Sequence, residues 1–298
     1  MTFSVIICTL NRPGDLRECL ESIARQTRYP EEIIIVDSSK DDLSRQVAAE
    51  FAGALPIKYF QTKSRLTLQR NYGIAQSTAE LLLFLDDDVV LAEEFIEEIE
   101  KGFRSNDRVA GVGGLLTNVQ VKSSLSAYMR KIFLLTRVDG RGEMQKSGFG
   151  AFQWCANKDS VQETQILCGV AAYRREVFNE FLYDEWFSGY GLMEDQEFSY
   201  RVGQKYRLIY TPFAKAFHKE SEVDRIDRRK FFYMKTINHF YIFKKDLRPN
   251  GVNWFWFWWS NLGIFLRSFI VSLKEKNMDP VKGALQGNIK IMNSWQEK

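Results

Sequence analysis

Cysteine and histidine are both scarce in this 298-residue chain, which has four cysteines (Cys8, Cys19, Cys155 and Cys168) and two histidines (His218 and His239). No two cysteines stand in CxxC spacing, which excludes the usual zinc and disulfide frameworks and points to a reducing, cytoplasmic compartment. A net charge of only +3 is too small by itself to suggest nucleic acid as a partner. No hydrophobic leader precedes the strand-like opening Phe3-Ser4-Val5-Ile6-Ile7-Cys8, so a secretory signal is not expected. The most apolar long stretch, Asn253 to Lys274, is broken by Asn261, Arg267 and Ser268, which argues against a membrane span. What remains is an ordinary folded composition, 45% hydrophobic and 27% charged, long enough for one large or two small domains.

One junction stands out. Leu81-Leu82-Leu83-Phe84-Leu85 runs directly into Asp86-Asp87-Asp88. An apolar run without alternation predicts a strand buried on both faces, so three carboxylates gather where a buried strand ends. Two carboxylates about 4 Å apart repel by roughly 4 kcal/mol at an effective dielectric near 20. Such a triplet calls for a cation, protons or ample water. A divalent metal, Mn²⁺ or Mg²⁺, is the sharpest of these answers, because it takes carboxylate oxygens and keeps positions open for phosphate. A solvated acidic turn is the plain alternative.

Strand-like runs at Phe3 to Cys8, Glu32 to Asp37, Ile57 to Phe60, Leu81 to Leu85 and Val109 to Gly113 alternate with helical periods at Pro13 to Gln26 and Ala92 to Phe103. That alternation predicts an α/β fold with a mostly parallel sheet covered by helices on both faces. Ligands of such sheets bind beyond the carboxyl ends of the strands, here Thr9-Leu10-Asn11-Arg12, Asp37-Ser38-Ser39 and the acidic triplet. A helical stretch at Ser124 to Leu135 and a polar segment to about Ser160 read as an excursion, either a lid or a variable loop. A helix follows at Glu194 to Gln204, then a strand at Arg207 to Tyr210 leading through Pro212 to His218.

Three further groups have candidate chemistry. Glu194-Asp195 follows the glycine-containing loop Trp186 to Gly191; acidic residues suit a helix N-terminus, and one of them could equally serve as a general base. His218 beyond a strand end is a credible imidazole donor beside an acidic metal site, whereas His239 in an aromatic-rich helical segment reads as packing or surface. Arg70 could pair with phosphate and Asn71 with a sugar or a backbone group; a helix-surface arginine is the alternative.

Taken in order, these segments resemble the family 2 glycosyltransferases of GT-A fold. Ser4 to Arg12 is similar to their opening strand and nucleotide loop, Ile33 to Asp37 to their second strand, Arg70-Asn71-Tyr72-Gly73 to their RNxG segment and Leu85-Asp86-Asp87-Asp88 to their DxD motif. Leu167-Cys168-Gly169, Arg174 to Phe178, Gly189-Tyr190-Gly191, Glu194-Asp195 and His218 follow in the family's order. The resemblance implies a catalytic region over residues 1–220, with a nucleotide-sugar half at 1–118 and an acceptor half at 119–220, followed by a helical extension at 221–298. It implies that Thr9, Asn11, Arg12, Asp37, Arg70, Asn71, Asp86 and Asp87 bind the nucleotide sugar, with Asp37 on the base, while Asp88 and His218 hold Mn²⁺ or Mg²⁺. Asp195 would be the catalytic base, supported by Glu194, with Cys168, Gly169, Trp186, Gly189 and Tyr190 on the acceptor side. The implied reaction is metal-dependent, inverting transfer from a nucleoside-diphosphate sugar to a glycan or lipid-linked acceptor, in surface polysaccharide or glycolipid synthesis. One departure is visible: Asp37-Ser38-Ser39 replaces the family's VDDGS pattern after the valine. A sugar-nucleotide pyrophosphorylase is the enzymatic rival, although no Gly-rich basic loop occupies Thr9 to Gly14, and a catalytically silent scaffold of the same fold is the non-enzymatic one.

Between Lys219 and Arg248 nine basic residues face five acidic ones. In the segment after it, Asn253, Ser260, Arg267 and Lys274 share one helical side and Phe255, Trp258, Trp259, Leu262, Leu266, Phe269 and Leu273 the other. That pattern suits a helix lying in a membrane interface through residues 219–275, or one packed on its own domain or a partner subunit; oligomeric state is left open.

Overall fold

A computed structural model describes residues 1–298 except 64, 120–124, 154–158, 168, 222, 224–225, 248–250 and 297–298, and the side chains of 125, 252, 295 and 296. The chain forms two compact units, Met1–Gln120 with Gln153–Arg225, and Val121–Phe152 with Ile226–Lys298. In chain order the first unit opens with β1 (Phe3–Thr9), α1 (Pro13–Ala24), β2 (Glu32–Asp37), α2 (Leu43–Phe51), β3 (Ile57–Gln61), α3 (Leu66–Gln76), β4 (Leu81–Asp86), β5 (Val89–Leu91), α4 (Phe95–Arg104) and β6 (Val109–Leu116). The second unit then contributes α5 (Leu125–Ile132), β7 (Glu143–Met144) and β8 (Gly150–Ala151). The first resumes with β9 (Gln162–Thr164), β10 (Ala171–Arg174), a 3-10 turn at Arg175–Asn179, α6 (Glu194–Gly203) and β11 (Arg207–His218). The helices α7 (Arg228–Asp246), α8 (Gly251–Glu275) and α9 (Asp279–Gln296) complete the second unit.

One sheet, in the order β3-β2-β1-β4-β10-β6-β11-β5 with β9 paired to β11, dominates the first unit. Pairs among β1, β2, β3 and β4, and between β6 and β11, are parallel; β10 is antiparallel to both β4 and β6, and β5 to β11. The apolar run of β4 does not alternate because both its faces are covered. Leu81, Leu83 and Leu85 pack with Leu16, Cys19 and Leu20 of α1 and with Phe95 and Ile99 of α4. Leu82 and Phe84 pack on the other side, with Ile74 of α3 and Phe198 and Val202 of α6. Each such buried side chain contributes about 2 kcal/mol, so the strand that delivers the acidic triplet is among the most firmly anchored in the unit.

Three local outcomes differ from the sequence expectation. The strand beginning at Arg207 continues to His218, and its register with β6 shifts between Tyr210 and Lys215; Pro212 sits in that irregular stretch, where its missing N–H costs no ladder bond. The short β10, two alanines among its four residues, carries little strand propensity, yet it fills the gap between β4 and β6 and makes the sheet mixed. Residues 121–152, expected in the acceptor half, cluster instead with the C-terminal helices. There Trp259 Nε1 donates to the Ile132 carbonyl at 2.8 Å, and Gly263 leaves room for the Phe133 side chain.

The second unit is held by aromatic packing. Phe243, Phe257 and Ile291 are fully buried among Phe240 and Trp254. His239 is buried as well, stacked 4.0 Å from the Phe149 ring and 4.8 Å from Phe257, and burial pushes its pKa down to about 3; it is a packing histidine. Lys235, one turn earlier on α7, is also buried, with its ammonium over the rings of Phe149 and Phe231 at 5.4 and 5.9 Å. Among the described residues it forms no ion pair, and burial, with Arg267 and Arg130 nearby, pushes its pKa down to about 7.

A lysine whose folded pKa lies below its ordinary 10.5 opposes folding most below pH 7, where both folded and unfolded chains hold the proton. The penalty fades as pH rises toward the unfolded value. We therefore expect Lys235→Met to be more stable than the natural chain by on the order of 3 kcal/mol near neutrality, with the difference shrinking by pH 9.5, as measured by urea unfolding. An equal difference at both pH values would contradict this account.

Candidate active site

All the parallel strands end on one edge of the sheet, and the antiparallel β10 begins there, so its run-in residue Gly169 reaches the same edge. The acidic triplet forms the tight turn between β4 and β5. Because β5 pairs with the end of β11 in the register Val89 to His218, the triplet and the histidine become neighbours across 130 residues of chain.

The three aspartates have different surroundings. Asp87 is buried; it accepts from Thr9 Oγ1 at 2.7 Å and from Arg12 at 3.2 Å, and burial pushes its pKa up to about 7. Asp88 is also buried, and its Oδ2 accepts the Ser221 N–H at 2.9 Å. Its Oδ1 lies 3.0 Å from His218 Nε2 without an aligned hydrogen bond and, among the described residues, accepts no other hydrogen bond. Burial acts to raise the Asp88 pKa, but His218 and the Ser221 N–H outweigh it and hold the carboxyl below its usual range. Asp86 is half-buried, with Oδ1 3.1 Å from Arg70. Asp86, Asp88 and His218 each present one donor atom, all within 4.8 Å of one another. Two carboxylate oxygens, the Asp88 one among them, and one imidazole fit a divalent cation, with histidine favouring Mn²⁺ over Mg²⁺.

Asp195, second residue of α6, accepts backbone N–H groups on both oxygens, from Gly169 at 3.1 Å and from Gln196 at 2.7 Å. Gly169 adopts φ +61°, a left-handed conformation that suits glycine. Burial raises the Asp195 pKa above the ordinary aspartate value, giving a fixed, half-buried carboxylate more basic than a free one. Trp186 and Tyr190 are exposed on the loop leading to α6, and the Gly189 carbonyl accepts the Leu66 N–H that starts α3.

Several of the residues expected at the ligand have partners within the protein. Arg70 is buried; it forks to Glu194 at 2.7 Å and Asp86 at 3.1 Å over the Tyr183 ring, so it ties two acidic segments together. Glu194 is likewise buried, its carboxyl pushed up to about 8 by burial that Arg70 only partly offsets; it positions Arg70 and is closed to an acceptor. Asn71 clamps the Tyr183 backbone with both ends of its amide at 2.9 Å, the backbone alternative of the two expected. Asp37 is fully buried, with its oxygens accepting from the Ser39 N–H at 2.7 Å and from the Tyr59 hydroxyl; it shapes the turn after β2. Asn11 takes φ 54° and donates its N–H to Ser39 Oγ at 2.7 Å, joining the first two strand-end loops. Arg12 reaches Asp87 and the Val223 carbonyl. Cys168 lies outside the described residues.

Sequence reasoning passed over the braces of the site. Gln69 donates to the carbonyls of Thr9 and Val36 at 3.1 and 2.7 Å, stapling the ends of β1 and β2. Asn118 holds the His218 backbone from both sides at 2.6 and 3.1 Å. The available signal for Asn118 was its place in Thr117-Asn118, just past a buried strand on the ligand edge.

The family model for glycosyl transferase family 2 matches residues 4–182. Among curated relatives, the poly(ribitol-phosphate) β-N-acetylglucosaminyltransferase TarP of Staphylococcus aureus is 24% identical over 83% of this chain and 74% of its own. Chondroitin synthase of Escherichia coli is 26% identical over 74% of this chain but only 36% of its own. YwdF of Bacillus subtilis, an uncharacterised glycosyltransferase, is 28% identical over 46% of this chain, and the chain spans 51% of its length. Among solved structures, S. aureus TarS 1–349 in complex with UDP-GlcNAc superposes with a TM-score of 0.56 at 16% identity, covering 97% of this chain and 92% of that one. That likeness establishes the α/β, GT-A-type fold.

Removing one partner of a buried charge pair costs about 3–5 kcal/mol. Arg70→Met, which keeps the side-chain bulk, should lower stability by about that amount in urea unfolding at neutral pH. A loss under about 1 kcal/mol would show that Asp86 and Glu194 do not depend on it.

Proposed function

The chain belongs to glycosyl transferase family 2, and from that membership together with its site we propose that it moves a sugar from a nucleoside-diphosphate sugar to an acceptor hydroxyl with inversion at the anomeric carbon. The observation that supports this most strongly is the convergence of Asp86, Asp88 and His218 at the sheet edge to which Gly169 also fixes Asp195. A divalent cation held by the first three would act as a Lewis acid on the departing diphosphate. Thr9, Asn11 and Arg12 line the adjoining loop on the nucleotide side, with Asp37 and Gln69 holding that loop in shape.

Asp195 takes the acceptor proton. Its two backbone hydrogen bonds aim the carboxylate, and its raised pKa brings the proton affinity closer to what a general base needs. Exposed Trp186 and Tyr190 offer aromatic faces for an acceptor glycan, apolar in body and polar at the tip. A relative named for poly(ribitol-phosphate) glycosylation and one named for chondroitin synthesis support a surface polysaccharide or glycolipid as product, and the structural neighbour solved with UDP-GlcNAc makes uridine-diphosphate sugars the first donors to test.

Two outcomes are expected. Asp195→Asn should lower kcat by about 10²–10⁴-fold while leaving donor-induced thermal stabilisation intact, and proton NMR of the product should show inverted anomeric configuration; retention, or full turnover by the variant, contradicts the proposal. Mn²⁺ together with a uridine-diphosphate sugar should raise Tm, since a ligand bound only by the folded state stabilises it. Asp88→Asn should abolish the Mn²⁺-dependent part of that rise.

A further inference from the structure

Helix α8 buries polar residues beside Phe257 and Ile264 and leaves much of its apolar side exposed. Its buried positions include Ser260, Asn261, Ser268 and Ser272, whereas Phe255, Trp258, Leu262, Phe269, Ile270 and Leu273 are each 40% exposed or more. The exposed set recurs at helical spacing along about 27 Å of helix, on the side away from the α7 contacts of Phe257 and Ser260. The neighbouring edge of α9 continues it. Asn288 turns toward α8 through a 2.7 Å hydrogen bond from Asn261, and Leu285 and Met292, one turn before and one after it, are exposed. A monomer rarely leaves so large an apolar face to water, and no described helix is long and apolar enough to cross a membrane.

Charge selects the occupant. Residues 121–152 and 226–298 carry nineteen Lys or Arg against seven Asp or Glu, while the rest of the chain carries twenty-two against thirty-one. The exposed cations include Lys276, just past the end of α8, and Lys282 on α9. A second copy meeting this face would bring two strongly basic units together. An anionic surface would be drawn to both the charge and the apolar stripe, by about 1 kcal/mol for each basic residue near the surface.

We propose that the α8–α9 face is a docking surface for an anionic lipid bilayer, with α8 lying in the plane of the interface and its Trp258, Phe269 and Leu273 side chains among the acyl chains. The inference is independent of the transfer chemistry, so either can fail without the other.

The test uses the full chain and sedimentation with phosphatidylcholine vesicles, with and without phosphatidylglycerol. Binding to the anionic vesicles should exceed binding to neutral ones by about tenfold or more, weaken with added salt, and shift tryptophan emission to the blue. The double variant Leu262→Gln with Phe269→Gln, at exposed positions, should keep its urea midpoint and lose at least about tenfold in binding. Lys276→Glu with Lys282→Glu should reduce the anionic preference while leaving the fold intact. No binding at low salt, or unchanged binding by the apolar double variant, overturns the proposal. A dimer in analytical ultracentrifugation that the same apolar variant dissolves overturns it in favour of a second copy.

Discussion

Five carboxylates, Asp86, Asp87, Asp88, Glu194 and Asp195, crowd the carboxyl edge of one sheet, where the guanidinium groups of Arg12 and Arg70 are the cations that reach them. Negative charge in partly buried surroundings has to be answered by protons, cations or hydrogen bonds, and the way each carboxylate is answered determines what it can do. Asp87 is quieted by Thr9 and Arg12, and Glu194 by Arg70. Asp195 receives two backbone N–H groups and keeps the rest of its basicity. Asp88 keeps one buried oxygen, aimed at His218, that accepts no hydrogen bond among the described residues, and that residual demand is what a metal would meet.

The fold exists, in effect, to hold this imbalance in place. A strand packed on both faces delivers the triplet, α3 and α6 deliver Arg70 and the Glu194-Asp195 pair, and the β11–β5 pairing brings in His218. The braces around these groups, Gln69, Asn71 and Asn118, act on backbone, so they set the positions of strand ends and loops before any ligand arrives. A site built in this way costs stability locally and depends on the surrounding core to offset that cost.

The α/β class, the buried β4 and the acidic turn were legible in sequence because each depends on a local signal: an unbroken apolar run, helical period, or polar residues past a strand end. Asp88 and His218 were legible as a pair through their chemistry, although their contact runs through a strand register that no local pattern encodes. The partners of Arg70, Asn71 and Glu194 within the protein were not legible. These residue types suit a ligand equally well, and tertiary partners 16 to 124 residues away, as for Arg70, leave no local mark. The short β10 and the association of residues 121–152 with the C-terminal helices escaped because weak strand propensity and long-range packing leave no local mark. In α8 the amphipathic period was plain, but which side would face water was not: the structure buries the serines together with Phe257 and Ile264 and exposes many of the other aromatic and aliphatic residues.

The central claim is that the orphaned Asp88 oxygen and the His218 imidazole together hold the cation that meets the donor diphosphate. Electron-nuclear double resonance on Mn²⁺ bound to the protein with a nucleoside diphosphate addresses it directly, because the spectrum reports which nuclei touch the metal. The account predicts coupling to both a histidine nitrogen and phosphorus, with the nitrogen signal lost in His218→Ala. Phosphorus coupling without any histidine nitrogen, or a nitrogen signal that survives the substitution, would contradict it.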